Sequence, residues 1–274
     1  MKRPLLAIVL TIAASAYGLA VTAGSSTAAT PLPTLTLALT KHTITVGGSR
    51  VSGAVNIVST VTGEKADGPG LILLKPGVTP AEFGKIVGSL GKGTPLDAID
   101  PYASIVFDGT ATAGAATTAQ VWLRPGSYIA VNNGDGFTPF TVAASASPAA
   151  LPTPDATFSA IDFGFRGPST LHDGELVRFQ NDGYLVHMMI FAQVKNVAAA
   201  KKAEALLLAG KMTAAKKNVI APPGMFAGPL SHSYFQQEVI TQPPGTYVIL
   251  CLMNSQDGRE HTQLGMFRTI TITK

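Results

Sequence analysis

From residue 34 onward, apolar and polar positions mostly alternate. Leu35, Leu37 and Leu39 are separated by Thr and Ala, residues 43–46 read Thr-Ile-Thr-Val before a Gly-Gly turn, and residues 51–58 read Val-Ser-Gly-Ala-Val-Asn-Ile-Val. Period-two stretches of this length, bounded by glycine and proline, predict half-buried strands. Further strands are expected at 71–75, 104–107, 119–123, 126–131 and 137–142. One stretch changes period. Thr79-Pro80-Ala81-Glu82 has the form of a capping box with proline at the first helical position, and Phe83, Ile86, Val87 and Leu90 follow at helical spacing. A short amphipathic helix is therefore expected inside a β region.

The second half repeats this order. Strands are expected at 158–165, 175–180, 187–194 and 234–240 and in the terminal pair 245–251 and 267–272, with a helical insertion at about 197–217 followed by a Pro/Gly-rich passage. Pro-Gly-Ser-Tyr-Ile-Ala-Val at 125–131 matches Pro-Gly-Thr-Tyr-Val-Ile-Leu at 244–250. Many short strands at regular spacing point to an all-β chain: two tandem Greek-key β-sandwich domains, each with a helical insertion, arising from an internal duplication. The expected division is an N-terminal domain at 34–144, an Ala/Ser/Pro-rich linker at 145–156 and a C-terminal domain at 157–274.

Ahead of these lie a short basic start, an apolar run at 5–14 and small residues near 21–23, the features of a secretory signal peptide over 1–23, then a flexible lead-in at 24–33. The protein is thus expected to be exported, to the periplasm, the cell surface or beyond. The apolar run is too short for a membrane span, and no other stretch approaches the roughly 18 apolar residues one needs. A formal charge of +4, of which Lys2 and Arg3 carry two units, is too small to indicate a nucleic-acid partner.

A single cysteine cannot close an internal disulfide, and a free thiol in an oxidising compartment is a liability unless buried or ligated. Its neighbours give Cys251 a second meaning. It ends an apolar strand, nine residues precede His261, and four more precede Met266 before the next strand. A thiolate, an imidazole and a thioether can meet at one loop, and a second imidazole is available from His187, which follows a strand ending near Asn181. Two imidazoles, one thiolate and a weak axial thioether are the donor set of a type 1 copper site.

Asn181 with His187, Gly245 with Tyr247, and Cys251, His261 and Met266 together resemble the ligand segments of the cupredoxin family. The resemblance covers roughly the second half of the chain. It implies a β-sandwich with one copper per chain held by His187, Cys251, His261 and Met266. It also implies transfer of electrons, or holding of copper, for a redox or copper-exchange protein partner, with His261 as the natural electron exit. The loop from Cys251 to His261 is longer than in the small blue proteins, and Met188 stands where many members carry Asn. When the halves are laid together, Asn132 falls opposite Cys251 and Gly70 opposite His187. The first half is therefore expected to repeat the fold without its metal.

Several enzyme chemistries lack their residues. Leu250 and Leu252 flank Cys251 where multicopper oxidases and nitrite reductases need further histidines, and no nucleophile elbow, HExxH or phosphate loop is present. The chain is accordingly expected not to be an enzyme. His42 and His172 read as solvated, with His232, Met225 and Met253 as outside candidates for the site. Lys201, Lys202, Lys211, Lys216 and Lys217 against Glu204 give the second insertion a basic face, with Leu206, Leu207, Leu208 and Met212 as its apolar one. It reads as an ordinary packed helix or as a docking patch for an acidic partner. The alternative function is a metal-free β-sandwich module for binding or the cell surface, its ligand-like residues unused.

Overall fold

The computed structural model describes residues 31–91, 93–133 and 136–274; the expected signal peptide lies outside them. Leu32–Lys274 forms a single compact unit. Its first half contains strands β1 (Thr34–Leu39), β2 (Ile44–Gly48), β3 (Gly53–Val61), β4 (Ala66–Asp67), β5 (Gly70–Leu74), β6 (Ala103–Asp108), β7 (Ala111–Thr112), β8 (Thr117–Leu123), β9 (Gly126–Val131) and β10 (Phe137–Val142), with helix α1 (Pro80–Ser89) after β5. The second half contains β11 (Ala156–Ile161), β12 (Gly164–Arg166), β13 (Thr170–His172), β14 (Leu176–Asn181), β15 (His187–Val194), β16 (Gly224–Leu230), β17 (Phe235–Val239), β18 (Gly245–Leu250) and β19 (Phe267–Thr273). Helices α2 (Val197–Leu208) and α3 (Met212–Lys216) follow β15.

The halves are two sandwiches that share one sheet. An eight-stranded sheet runs β12-β11-β14-β17-β8-β3-β1-β2, four strands from each half, and it is joined where β17 pairs antiparallel with β8. The first half faces it with β10-β9-β5-β6, the second with β13-β19-β18-β15-β16. The two halves repeat one pairing pattern. β1 runs parallel to β3 and antiparallel to β2, as β11 does to β14 and β12. Tyr128 donates its hydroxyl proton to the carbonyl of Arg124 at 2.8 Å, and Tyr247 does the same to Pro243 at 2.6 Å.

Alternation explains the core. Leu35, Leu37 and Leu39 are buried while Thr36 and Ala38 face outward, and Val177 and Phe179 alternate in the same way on β14. Fully burying an aliphatic or aromatic side chain contributes about 1.5–3 kcal/mol, so strands with this pattern hold one register firmly. At the seam, Gln237 donates to Gln120 at 2.9 Å and to the carbonyl of Pro152 at 3.1 Å, and it accepts from the Arg178 guanidinium at 2.8 Å. The expected linker runs along this seam, where Ala149 also accepts from the Ala54 N–H at 2.9 Å.

Three expectations change. The helical insertion is two helices, because Ala209 ends α2 and Gly210 takes a left-handed φ of 68° before the chain restarts at Met212. Leu208, expected on the apolar face, is 55% exposed, whereas Ala200, Ala203 and Leu207 are buried. The strand expected over 158–165 is the hairpin β11–β12, turning through Asp162 and Phe163, the latter at a φ of 65°. The capping box at Thr79 forms as expected: Thr79 Oγ1 accepts from Glu82 N at 3.2 Å, and Glu82 accepts from Thr79 N at 2.8 Å. Among the described residues no helix is long and apolar enough to cross a membrane.

Candidate metal centre

β15, β18 and β19 are consecutive antiparallel neighbours, so the start of β15, the end of β18 and the start of β19 lie at one end of their sheet. His187 opens β15, Cys251 follows β18, and His261 lies in a short 3-10 helix (His261–Leu264) just before β19. All three are fully buried. His187 Nδ1 lies 3.2 Å from His261 Nδ1, and Cys251 Sγ lies 3.4 Å from His261 Nδ1 and 3.9 Å from His187 Nδ1. Three ligands of one ion at about 2.0–2.3 Å stand roughly 3.3–3.8 Å from one another, so these donor atoms are spaced to share an ion. Among the described residues they form a group that could hold one.

The loop of nine residues between Cys251 and His261 is itself folded. Asn254 and Glu260 form an antiparallel bridge, Ser255 Oγ donates to Asp257 at 2.6 Å, and Arg259 pairs with Asp257 at 2.6 Å. His261 N–H then donates to the Met253 carbonyl at 2.8 Å, which returns the histidine to within two residues of Cys251. The extra length closes into a small hairpin and leaves the donor positions together. Glu260 and Gln263 cap the 3-10 helix reciprocally, and Gly265 ends it at a φ of 97° that favours glycine. Met266 is fully buried; its N–H donates to the His261 carbonyl at 2.9 Å and its carbonyl accepts from Cys251 N–H at 3.2 Å.

Electrostatically the cluster is neutral. Burial pushes the Cys251 thiol up to about 12. Burial, with the neighbouring His187, pulls His261 down to about 4. Burial also lowers His187, against the opposing pull of Asp162. Met188 N–H points at the sulfur at 3.5 Å, a donor that favours the thiolate once the proton has left. His261 Nε2 is buried without a hydrogen-bond partner, and the Phe163 ring packs edge-on to the imidazole at 5.4 Å. The histidine expected as the electron exit is therefore enclosed.

Asp162, in the turn between β11 and β12, touches the cluster directly. Its Oδ1 lies 3.0 Å from His187 Nε2. Asn181 holds the segment before His187, donating to the carbonyls of Leu185 at 2.7 Å and Leu230 at 2.8 Å and accepting from Gly183 N–H at 3.0 Å. The first half reaches in as well: Val186 N–H donates to Asp97, and the Val186 side chain packs among Leu74, Phe83, Ile99, Ile105 and Ile129. His232 stands apart from the donors, stacked on Tyr184 at 5.4 Å with its Nδ1 2.7 Å from the Gly183 carbonyl oxygen.

The first half's counterpart differs from the expected alignment. Gly70 pairs with Val131 as Ile190 pairs with Leu250, so counting back three residues on each strand puts Asp67, not Gly70, opposite His187. Asn132 does fall opposite Cys251. Its side-chain amide donates to Asp67 at 3.0 Å and to the Thr40 carbonyl at 2.8 Å, and it accepts from Gly136 N–H at 2.8 Å.

No protein-family model matches the chain, and no curated protein matches it. Among solved structures it is similar to dithionite-reduced auracyanin from the photosynthetic bacterium Roseiflexus castenholzii, at 19% identity over 43% of this chain and 95% of that one, TM-score 0.27. It is also similar to auracyanin A, a "blue" copper protein from Chloroflexus aurantiacus, at 16% identity over 43% and 96%, TM-score 0.26. A copper nitrite reductase from Nitrosomonas europaea matches at 13% identity over 88% and 93%, TM-score 0.23. Likeness of this size bears on neither fold nor function, which rest on the strand order and donor geometry above.

Proposed function

We propose that this is an exported copper-binding protein with one type 1-like site in its second half. His187, Cys251 and His261 would be the in-plane donors and Met266 the weak axial one, and the role would be electron transfer or copper holding for a redox or copper-exchange protein partner. The observation that carries this reading is the convergence of two imidazole nitrogens and one thiol sulfur, fully buried and within 3.9 Å of one another. Soft sulfur with imidazole suits copper in both oxidation states. Bound there, copper supplies a one-electron couple.

The chain's own residues supply the rest. Strands β15 and β18 and the capped 3-10 helix fix the donors before any ion arrives, so little ordering entropy is spent on binding. Burial excludes water from the cluster. The first half, 34–144, would serve as a metal-free support that buttresses Val186 next to His187.

Anaerobic addition of Cu(II) to the wild-type protein should raise an intense visible thiolate-to-copper band. Cys251→Ser should abolish that band while the protein stays folded; a band retained in Cys251→Ser overturns the assignment.

A further inference from the structure

We propose that Asp162 is a positioning residue for this centre: it accepts the Nε2–H of His187, and so fixes the imidazole with a bare Nδ1 facing Cys251 and His261. The inference rests on the copper reading only for its metal readout. Its structural basis stands in the metal-free chain.

Three observations carry it. Asp162 Oδ1 lies 3.0 Å from His187 Nε2, and an ionised carboxylate can only accept there. The carboxylate is itself held, since Tyr184 N–H donates to Oδ2 and Leu185 N–H to Oδ1, each at 3.2 Å. Gly183 leaves the space for this contact: a Cβ at that position would lie 2.5 Å from Asp162 Oδ1 and 2.7 Å from His187 Nε2. Any larger residue would push the pair apart.

The proton positions follow. With its proton on Nε2, His187 presents a lone pair at Nδ1, so at the 3.2 Å contact His261 must donate from its own Nδ1. That leaves His261 Nε2 as a bare nitrogen, in agreement with its burial without a partner. Of the two imidazoles, only His261 must then move a proton to free both Nδ1 atoms for an ion. A carboxylate behind a ligating imidazole also strengthens its donation and favours the higher oxidation state.

The experiment compares wild type, Asp162→Asn and Asp162→Ala. In metal-free protein, imidazole nitrogen shifts by NMR should show His187 protonated at Nε2 and His261 at Nδ1, with the His187 preference lost in Asp162→Ala. With copper added, Asp162→Ala should lose about tenfold or more in Cu(II) affinity and shift its reduction potential upward. Asp162→Asn, whose amide oxygen still accepts, should recover the tautomer and part of the affinity but not the potential. A folded Asp162→Ala with wild-type tautomers, affinity and potential overturns the proposal. If Asp162→Ala does not fold, Asp162→Asn with wild-type affinity and potential overturns it equally. If wild type takes up no copper, the functional reading fails and the nitrogen shifts alone decide on Asp162: Nε2–H on His187 in wild type supports it, and Nδ1–H overturns it.

Discussion

At the end of β9 Asn132 is closed off by its neighbours, with its amide on Asp67 and Thr40 and its oxygen on Gly136. At the equivalent end of β18 Cys251 faces two imidazoles whose nitrogens have few other partners. The backbone beneath is the same, for Cys251 N–H donates to Met266 as Asn132 N–H donates to Gly136. The β1–β2 turn meets Asn132 through Thr40, and the β11–β12 turn meets the histidines through Asp162 and Phe163. One sandwich satisfies its polar end internally, while the other keeps donor atoms converged and under-satisfied, which is what leaves room for a ligand's contribution. The closed half also braces the open one, through Asp97 and the apolar residues around Val186.

Proton concentration should separate the halves most strongly. The cluster holds one thiol proton that an ion must displace, with the thiol up at about 12 and His261 down at about 4. Copper affinity should therefore rise about tenfold per pH unit, roughly a thousandfold between about pH 5 and pH 8. Competition against a chelator of known pH dependence reads that slope, and a flat profile would mean that no thiol proton is released. The sign reverses nowhere in this window, because His261 is neutral throughout it. In the metal-free chain the depressed His261 acts in the same direction on stability: its contribution is present above the unfolded value of 6.5 and is lost as pH falls towards about 4.

A smaller effect is expected from Asn132→Ala. It leaves buried partners at Asp67, Thr40 and Gly136 short of a hydrogen bond and should cost about 1–3 kcal/mol of unfolding free energy, while copper uptake per chain stays as in wild type. Denaturant melts of the metal-free protein measure the first, and metal counting the second. A loss of copper with Asn132→Ala would mean that the two ends are not independent.

Much of this was legible in the sequence, for identifiable reasons. Period-two patterns mark strands such as β1, β8 and β14, since one buried face makes register costly to shift. The capping box at Thr79 was readable because its geometry is local. Strand β16 reads in the sequence as a Pro/Gly-rich passage: its Gly-Met-Phe-Ala-Gly-Pro-Leu run has no alternation because successive residues are buried. The β11–β12 turn was hidden because Phe158, Phe163 and Phe165 read as one apolar run, and an aromatic residue at positive φ is uncommon. Cys251, His261 and Met266 lie within one short stretch and could be found together. Asp162 is 25 residues from His187 and meets it only through the hairpin turn, so no local spacing marks it. The alignment of Gly70 with His187 failed because β5 is shorter than β15, and only strand register brings Asp67 into place.

The most direct measurement is the number of copper ions bound per chain. Equilibrium dialysis of wild-type protein under anaerobic conditions, with metal counted after removal of loosely bound ion, should give one copper per chain and an electron paramagnetic resonance signal from a single thiolate-bound site. Two ions per chain would contradict the closed half, and none would contradict the open one.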